Sequence, residues 1–120
     1  MMKEYENMMI KCIEKICGLY ATNDYSEGDL LFVLKGKYLK KPTKHSIQID
    51  EHTHILDKMG KYMNHSFEPN CSINGYDVVA LKDIKEADEL TFNYNTTEKK
   101  LVSPFLDKET NREVIGHNDP

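Results

Sequence analysis

Two short segments of this 120-residue chain concentrate side chains of the types that do chemistry. The first is Asn64-His65-Ser66-Phe67-Glu68-Pro69-Asn70 and the second is Glu89-Leu90-Thr91-Phe92-Asn93-Tyr94. Each has an ordinary structural reading when taken alone. Asn, Ser and Pro favour turns through side-chain capping and fixed φ, so the first reads as a polar turn. The second alternates as a half-buried strand does. Other candidates are thinner. His52 and His54 sit two apart, on one face of a strand, which makes half a metal site with no obvious third ligand. Cys12, Cys17 and Cys71 have neither the spacing of a zinc site nor that of a disulfide framework, and read as small buried hydrophobes. Lys35, Lys37, Lys40, Lys41 and Lys44 crowd one loop, which is either a surface for an acidic partner or a solvated face.

In combination and in this order, the two segments resemble the paired signature of the SET-domain protein lysine methyltransferases. That family writes N-H-S, two variable positions and P-N, then E-L-T-F-D/N-Y about twenty residues later. Between them, Val79-Ala80-Leu81-Lys82-Asp83-Ile84 is similar to the family's strand and turn A-x-x-D-I. Upstream, Gly18-Leu19-Tyr20-Ala21 with Glu27-Gly28-Asp29 is similar to its cofactor loop and the strand after it. The likeness runs over about residues 10–98. Ile16 stands where the family's loop has its first glycine, Phe67 where a cysteine is common, and Ala87 where a turn glycine is usual. A β-branched residue cannot take the positive φ that glycine allows, so the loop must be built differently at Ile16. The family's cysteine-rich zinc segment is missing, since no cysteine comes after Cys71. Ser103-Pro104-Phe105 through Val114-Ile115-Gly116 keeps the outline of that segment without metal, with Phe105 placed to pack on the cofactor.

The resemblance implies S-adenosylmethionine as cofactor and a protein lysine as acceptor. Asn64 and His65 would bind the cofactor, with Tyr62 as the aromatic beside it. Gly18, Leu19 and Tyr20 would hold its amino-acid end. Tyr94 carries over as the catalytic tyrosine, and Phe92 and Tyr94 as the walls of the lysine channel. No residue is assigned to a metal. The chemistry suits these types. Only a neutral amine attacks a methyl carbon, and free lysine has a pKa of about 10.4, so an apolar channel and a nearby positive charge must help shed its proton. Alignment in a dry, preorganised site then does most of the catalysis. A fold that kept its shape and lost transfer, a binding or scaffold module, is the competing reading.

Short strands separated by turns must position these residues, because helical periodicity is weak throughout. Met8 to Ile13 reads as a strand entering a bend at Cys17-Gly18, and Leu30 to Leu34 as a second after the turn 26–29. Ser46 to Ile49 and Thr53 to Leu56 come next, then a helical turn from Met59 to Met63. Cys71 to Ile73 and Tyr76 to Leu81 flank Asn74-Gly75, a strong hairpin signal. Leu90 to Tyr94 is the last strand. The expectation is a mainly β chain with little helix. By the resemblance it is a small, β-clip-like SET fold of several short sheets with a knot-like C-terminal crossing. Residues 1–98 form that domain, and 99–120 a polar, partly ordered tail.

Composition narrows the partners. The length allows one domain. No run approaches the roughly 18 apolar residues of a membrane span, and the acidic N-terminus MMKEYENMMIKC lacks the basic start of a signal peptide. An intracellular, cytoplasmic home (nuclear in a eukaryote) is expected, and the cysteine usage agrees. The net charge of −4 argues against direct nucleic-acid binding and is compatible with a basic peptide. So small a domain is also compatible with a homodimer that completes its site.

Overall fold

A computed structural model describes residues 8–116; most of the N-terminal stretch MMKEYENMMIKC and the end of the tail, 117–120, lie outside that range. Within that range twelve short strands succeed one another. They are β1 (Met8–Ile13), β2 (Ile16–Ala21), β3 (Leu30–Val33), β4 (Lys37–Leu39), β5 (Ile47–Asp50) and β6 (Thr53–Leu56), then β7 (Asn64–His65), β8 (Cys71–Asn74), β9 (Asp77–Ala80), β10 (Glu89–Phe92), β11 (Phe105–Leu106) and β12 (Glu113–Val114). Single 3-10 turns occupy Gly60–Tyr62 and Tyr94–Thr96. The strands make four small sheets, ordered β1-β2-β10-β7, β3-β9-β8, β4-β6-β5 and β11-β12. This is the mainly β architecture, with little helix, that the sequence leads one to expect. Among the described residues no helix is long and apolar enough to cross a membrane.

Turn chemistry corrects several boundaries. The register pairs Ile13 with Ile16, so the first hairpin turns at Glu14-Lys15, ahead of the bend expected at Cys17-Gly18. Both turn residues have positive φ, 50° and 73°. Such mirror-image turns match the right-handed twist of the paired strands. Ile16 is thereby relieved of the positive φ that a glycine would carry, and it continues the strand. The second hairpin pairs Asn74 with Asp77, so its turn is Gly75-Tyr76, with φ +63° at Gly75. Asn74 extends the ladder and leaves the left-handed position to glycine, as a turn with Gly at its first central position requires. The last central strand stops at Phe92, because Asn93 caps the next turn by accepting the Asn95 N–H at 2.9 Å.

The cysteines depart further from expectation. Cys12 and Cys17 face each other directly across the first hairpin and form a disulfide; Cys12 is exposed. Only Cys71 is a buried, free thiol, and burial pushes its pKa up to about 12. The histidine pair also separates. His54 is buried in β6, while His52 stands in the preceding turn, 3.9 Å from the Glu51 carboxylate.

Leu19, Leu34, Ile55, Met63, Val78, Ile84 and Leu90, each less than 2% exposed, join the three larger sheets into one core. Each such burial contributes roughly 1.5–3 kcal/mol. Leu19, Met63 and Leu90 matter most for function, because they anchor β2, the Met63-Asn64 junction and β10, the three segments that meet at the candidate site.

Candidate functional site

The segments 64–70 and 89–94 are laced together. β10 lies between β2, which it pairs antiparallel, and β7, which it pairs parallel through Thr91–Asn64 and Phe92–His65. Side-chain amides reinforce the backbone. Asn70 Nδ2 donates to the Glu89 carbonyl at 2.8 Å, and its Oδ1 accepts the Thr91 N–H at 3.0 Å. Asn64 Nδ2 donates to the Cys17 carbonyl at 2.9 Å and to Glu89 Oε2 at 2.7 Å. The Ser66 N–H donates to the Phe92 carbonyl at 3.1 Å. Two asparagines in a polar turn, each able to donate and accept, thus satisfy backbone groups that a two-residue strand leaves open.

Asp57 delivers the front of the site. Its buried carboxylate accepts the N–H groups of Lys35 at 2.7 Å, Met59 at 2.7 Å and Gly60 at 2.6 Å. These fix the 3-10 turn that carries Tyr62 and hands the chain to Met63 and Asn64. The Tyr94 hydroxyl then donates to the Met63 carbonyl at 2.7 Å. Burial first, and then the carboxylates of Glu98 and Glu89, push the Tyr94 pKa up to about 12. Its oxygen therefore stays protonated and directed.

His65 completes an aromatic cluster. The Tyr94 N–H donates to its Nδ1 at 3.1 Å, which assigns the ring hydrogen to Nε2. That Nε2 is buried without a hydrogen-bond partner among the described residues. The ring meets Phe67 at 4.4 Å, Tyr94 at 5.3 Å and Phe105 at 5.8 Å, all edge to face. Burial holds its pKa below the ordinary imidazole value, with Asp107 opposing that shift and Arg112 adding to it.

Tyr62, Asn64, His65, Phe92 and Tyr94 all line one cavity of about 760 Å³. Its other walls come from the first hairpin turn, the loop before β5 and the tail. Gly18, Leu19 and Tyr20 do not line it. Leu19 is in the core, Gly18 lies beneath the Glu89 carboxylate, and Tyr20 has the Lys11 ammonium 4.6 Å from its ring centre. Lys15, Ile16 and Cys17 are the hairpin residues at the cavity, because the chain turns earlier than the sequence suggests. The SET domain family matches residues 16–95, two thirds of the chain and both laced segments. The chain belongs to the SET-domain family. No curated protein matches the sequence.

Methyltransferases of the SET family use S-adenosylmethionine, and the residues present fit such a group. The cavity volume is that of a small-molecule site, and its wall mixes the apolar Met63 and Phe92 with polar groups of Asn64, Tyr94 and Ser46. The described part of the tail folds back on the site. β11 and β12 form a hairpin whose loop is closed by Asp107, which accepts the Thr110 N–H at 3.0 Å and its hydroxyl at 2.7 Å. The Asp107 N–H donates to the Arg112 carbonyl at 2.8 Å, and Asn111 takes a positive φ of 61°. Arg112 lies over the Phe67 ring, 3.9 Å from its centre, and Phe105 reaches Tyr94 at 6.0 Å between ring centres. A hydrogen-bonded turn thus presses the tail onto the site. Among the described residues no group of three His, Cys, Asp or Glu is placed to hold a metal.

Glu98, Asp57 and Met63 are the site residues that motif reading misses. Glu98 is buried, lines the cavity, and accepts the Gln48 N–H at 2.8 Å and the Thr97 hydroxyl at 2.9 Å. It begins a run of charged residues, and nothing in that run marks it as buried. Met63 acts through its carbonyl, which sequence cannot show. Asp57 carries a signal: an aspartate three residues before Gly60 reads as a turn cap.

Proposed function

We propose that this SET domain transfers the methyl group of S-adenosylmethionine to a lysine side chain of a protein. The observation that carries the reading is the Tyr94 hydroxyl, at the cavity wall and fixed by the Met63 carbonyl. A phenol with a pKa of about 12 is a poor base at neutral pH. Its use is as an oriented oxygen: it donates one hydrogen bond to Met63 and keeps acceptor capacity for an amine N–H or a polarised methyl C–H. The cofactor supplies an activated methyl on a sulfonium centre. Tyr62, Asn64, His65 and Cys17 would hold it, and Phe92, Tyr94 and Phe105 would exclude water from the acceptor. Glu98 stands on the same wall, buried and held by the Gln48 N–H and the Thr97 hydroxyl.

The test has two arms. Cofactor binding is measured by calorimetry and by the rise in melting temperature that linkage demands. Transfer is measured as labelled methyl incorporated into lysine after incubation with a broad protein extract. Binding with incorporation is the expected result. Absence of both at millimolar cofactor would sink the proposal, and binding without transfer would favour the scaffold reading.

A further inference from the structure

We infer that the mouth of the Tyr94 cavity docks a peptide whose target lysine is flanked by acidic residues together with an apolar one. This rests on the transfer reading and names a substrate class for it. The chain is acidic overall, at −4, which by itself suggests a basic partner. The cavity rim has the opposite sign. Lys15 from the first hairpin turn, Lys44 from the loop before β5, Lys61 from the Gly60–Tyr62 turn and Lys108 from the β11–β12 loop all line the cavity, and all four are exposed. None of them makes an ion pair among the described residues. Two acids share the wall, both buried and tied back by neutral donors: Glu98 by Gln48 and Thr97, Asp107 by Thr110. Those two carboxylates offset part of the charge, but four exposed lysines outnumber them, so solvent at the mouth meets net positive charge.

Apolar side chains share that rim. Ile16, Val102 and Leu106 line the same cavity while 68%, 53% and 53% exposed. A single exposed apolar residue needs no explanation. Three, from the first hairpin and the tail and lining one opening, form a surface that a partner covers. The charges choose the partner. A basic peptide would set like charge against four lysines, whereas acidic flanks complement them and speed encounter. Of the lysine-rich stretch 35–44, Lys44 is the one the fold brings to the cavity. Each exposed pair is worth a few-fold at most, and two buried carboxylates work against them, so together they should give roughly a 10-fold preference that salt screens away.

The experiment uses the full chain and three peptides, each with one lysine and the same apolar neighbour, flanked by glutamate, serine or arginine. Binding is read by fluorescence anisotropy with and without S-adenosylmethionine, and transfer as kcat/KM. The glutamate peptide should bind and react about 10-fold better than the arginine peptide, with the gap closing at about 0.5 M salt. The double variant Lys44→Glu, Lys108→Glu should invert the order with an unchanged unfolding curve, because both side chains are exposed. An equal or reversed order for the wild type, or an order the variant leaves unaltered, overturns the inference. Binding of the glutamate peptide without transfer keeps the docking surface and counts against the enzyme. Transfer that favours the arginine peptide does the reverse.

Discussion

Asn64 and Glu89 are joined side chain to side chain, with Asn64 Nδ2 2.7 Å from Glu89 Oε2, directly above Gly18. A Cβ on residue 18 would lie 2.6 Å from that same oxygen. The glycine in the first hairpin, the asparagine of one motif and the glutamate of the other therefore occupy a single stack. Gly18→Ala must push the carboxylate off Asn64. The expected cost is about 1–2 kcal/mol, the value of one charge-assisted hydrogen bond, read as a lower denaturant midpoint. Because the methyl and the carboxylate compete for one place, adding Glu89→Ala to Gly18→Ala should cost less than the two single changes summed. Strict additivity would show that the stack does not exist.

Ala87 supplies a change in the other direction. It stands where the family has a turn glycine, and its φ is +79°. That conformation costs an L-residue roughly 1–2 kcal/mol, of which glycine's greater freedom in the unfolded chain returns about half. Ala87→Gly should accordingly stabilise the protein by about 0.5–1 kcal/mol. The residue is exposed and its N–H donates to the Ala21 carbonyl at 2.8 Å, a bond glycine keeps. A fall in melting temperature would refute the strained turn.

The cysteines predict a thiol count. Unfolded in denaturant without reductant, the chain should react with one equivalent of thiol reagent, at Cys71, and with three after reduction. In the native state Cys71 should be inert, since it is buried and its thiolate is strongly disfavoured. Changing both Cys12 and Cys17 to serine should cost about 2 kcal/mol for so short a loop. It should also loosen a hairpin that carries Lys15, Ile16 and Cys17 to the cavity. Three reactive thiols before reduction would rule the pairing out.

One buried and one half-buried imidazole set a pH dependence. Burial lowers the pKa of both His54 and His65 from the ordinary 6.5. In that window the unfolded chain binds more protons than the folded one, so stability rises with pH. The contribution is complete above about pH 6.5 and declines as the pH falls from there toward the depressed folded values. Melting temperatures from about pH 5 to pH 8 should show this slope, and His65→Phe should flatten part of it. An unaltered slope in that variant would place the dependence elsewhere.

Motif reading and geometry contribute differently to this site. Asn64, His65, Phe92 and Tyr94 are legible because their types recur at fixed spacing, and the fold does bring them to one cavity. The first hairpin turns a few residues before the place its sequence suggests. Glu14 and Lys15 are not residues that advertise a positive φ, so Gly18 draws the turn toward itself on paper. Gly18 is in fact needed for close approach, not for turning. Lys37–Leu39 is a strand too short and too charged for alternation to reveal. The tail reads as a polar run because its order comes from Asp107 capping Thr110 and from Phe105 and Arg112 seated on rings contributed by the motifs. Those are tertiary contacts, and no local pattern encodes them.

Tyr94→Phe separates the chemistry from the packing. The substitution removes one oxygen and keeps the ring, so contacts with Phe92 at 5.0 Å and Phe105 at 6.0 Å between centres should persist. The Met63 carbonyl loses its 2.7 Å donor, which should cost about 1 kcal/mol of stability. Cofactor affinity should move little, because Tyr62, Asn64 and His65 are untouched. If the hydroxyl orients the reacting groups, turnover should fall about 100-fold or more, with kcat and kcat/KM dropping together, as for an interaction made in the transition state. The pH profile should show no limb near neutrality from Tyr94, since its phenol titrates at about 12. A variant with wild-type turnover and only the loss of stability would make Tyr94 a structural strut between β10 and Met63. A variant that loses cofactor binding in parallel with turnover would move its role from transfer to the shape of the cavity.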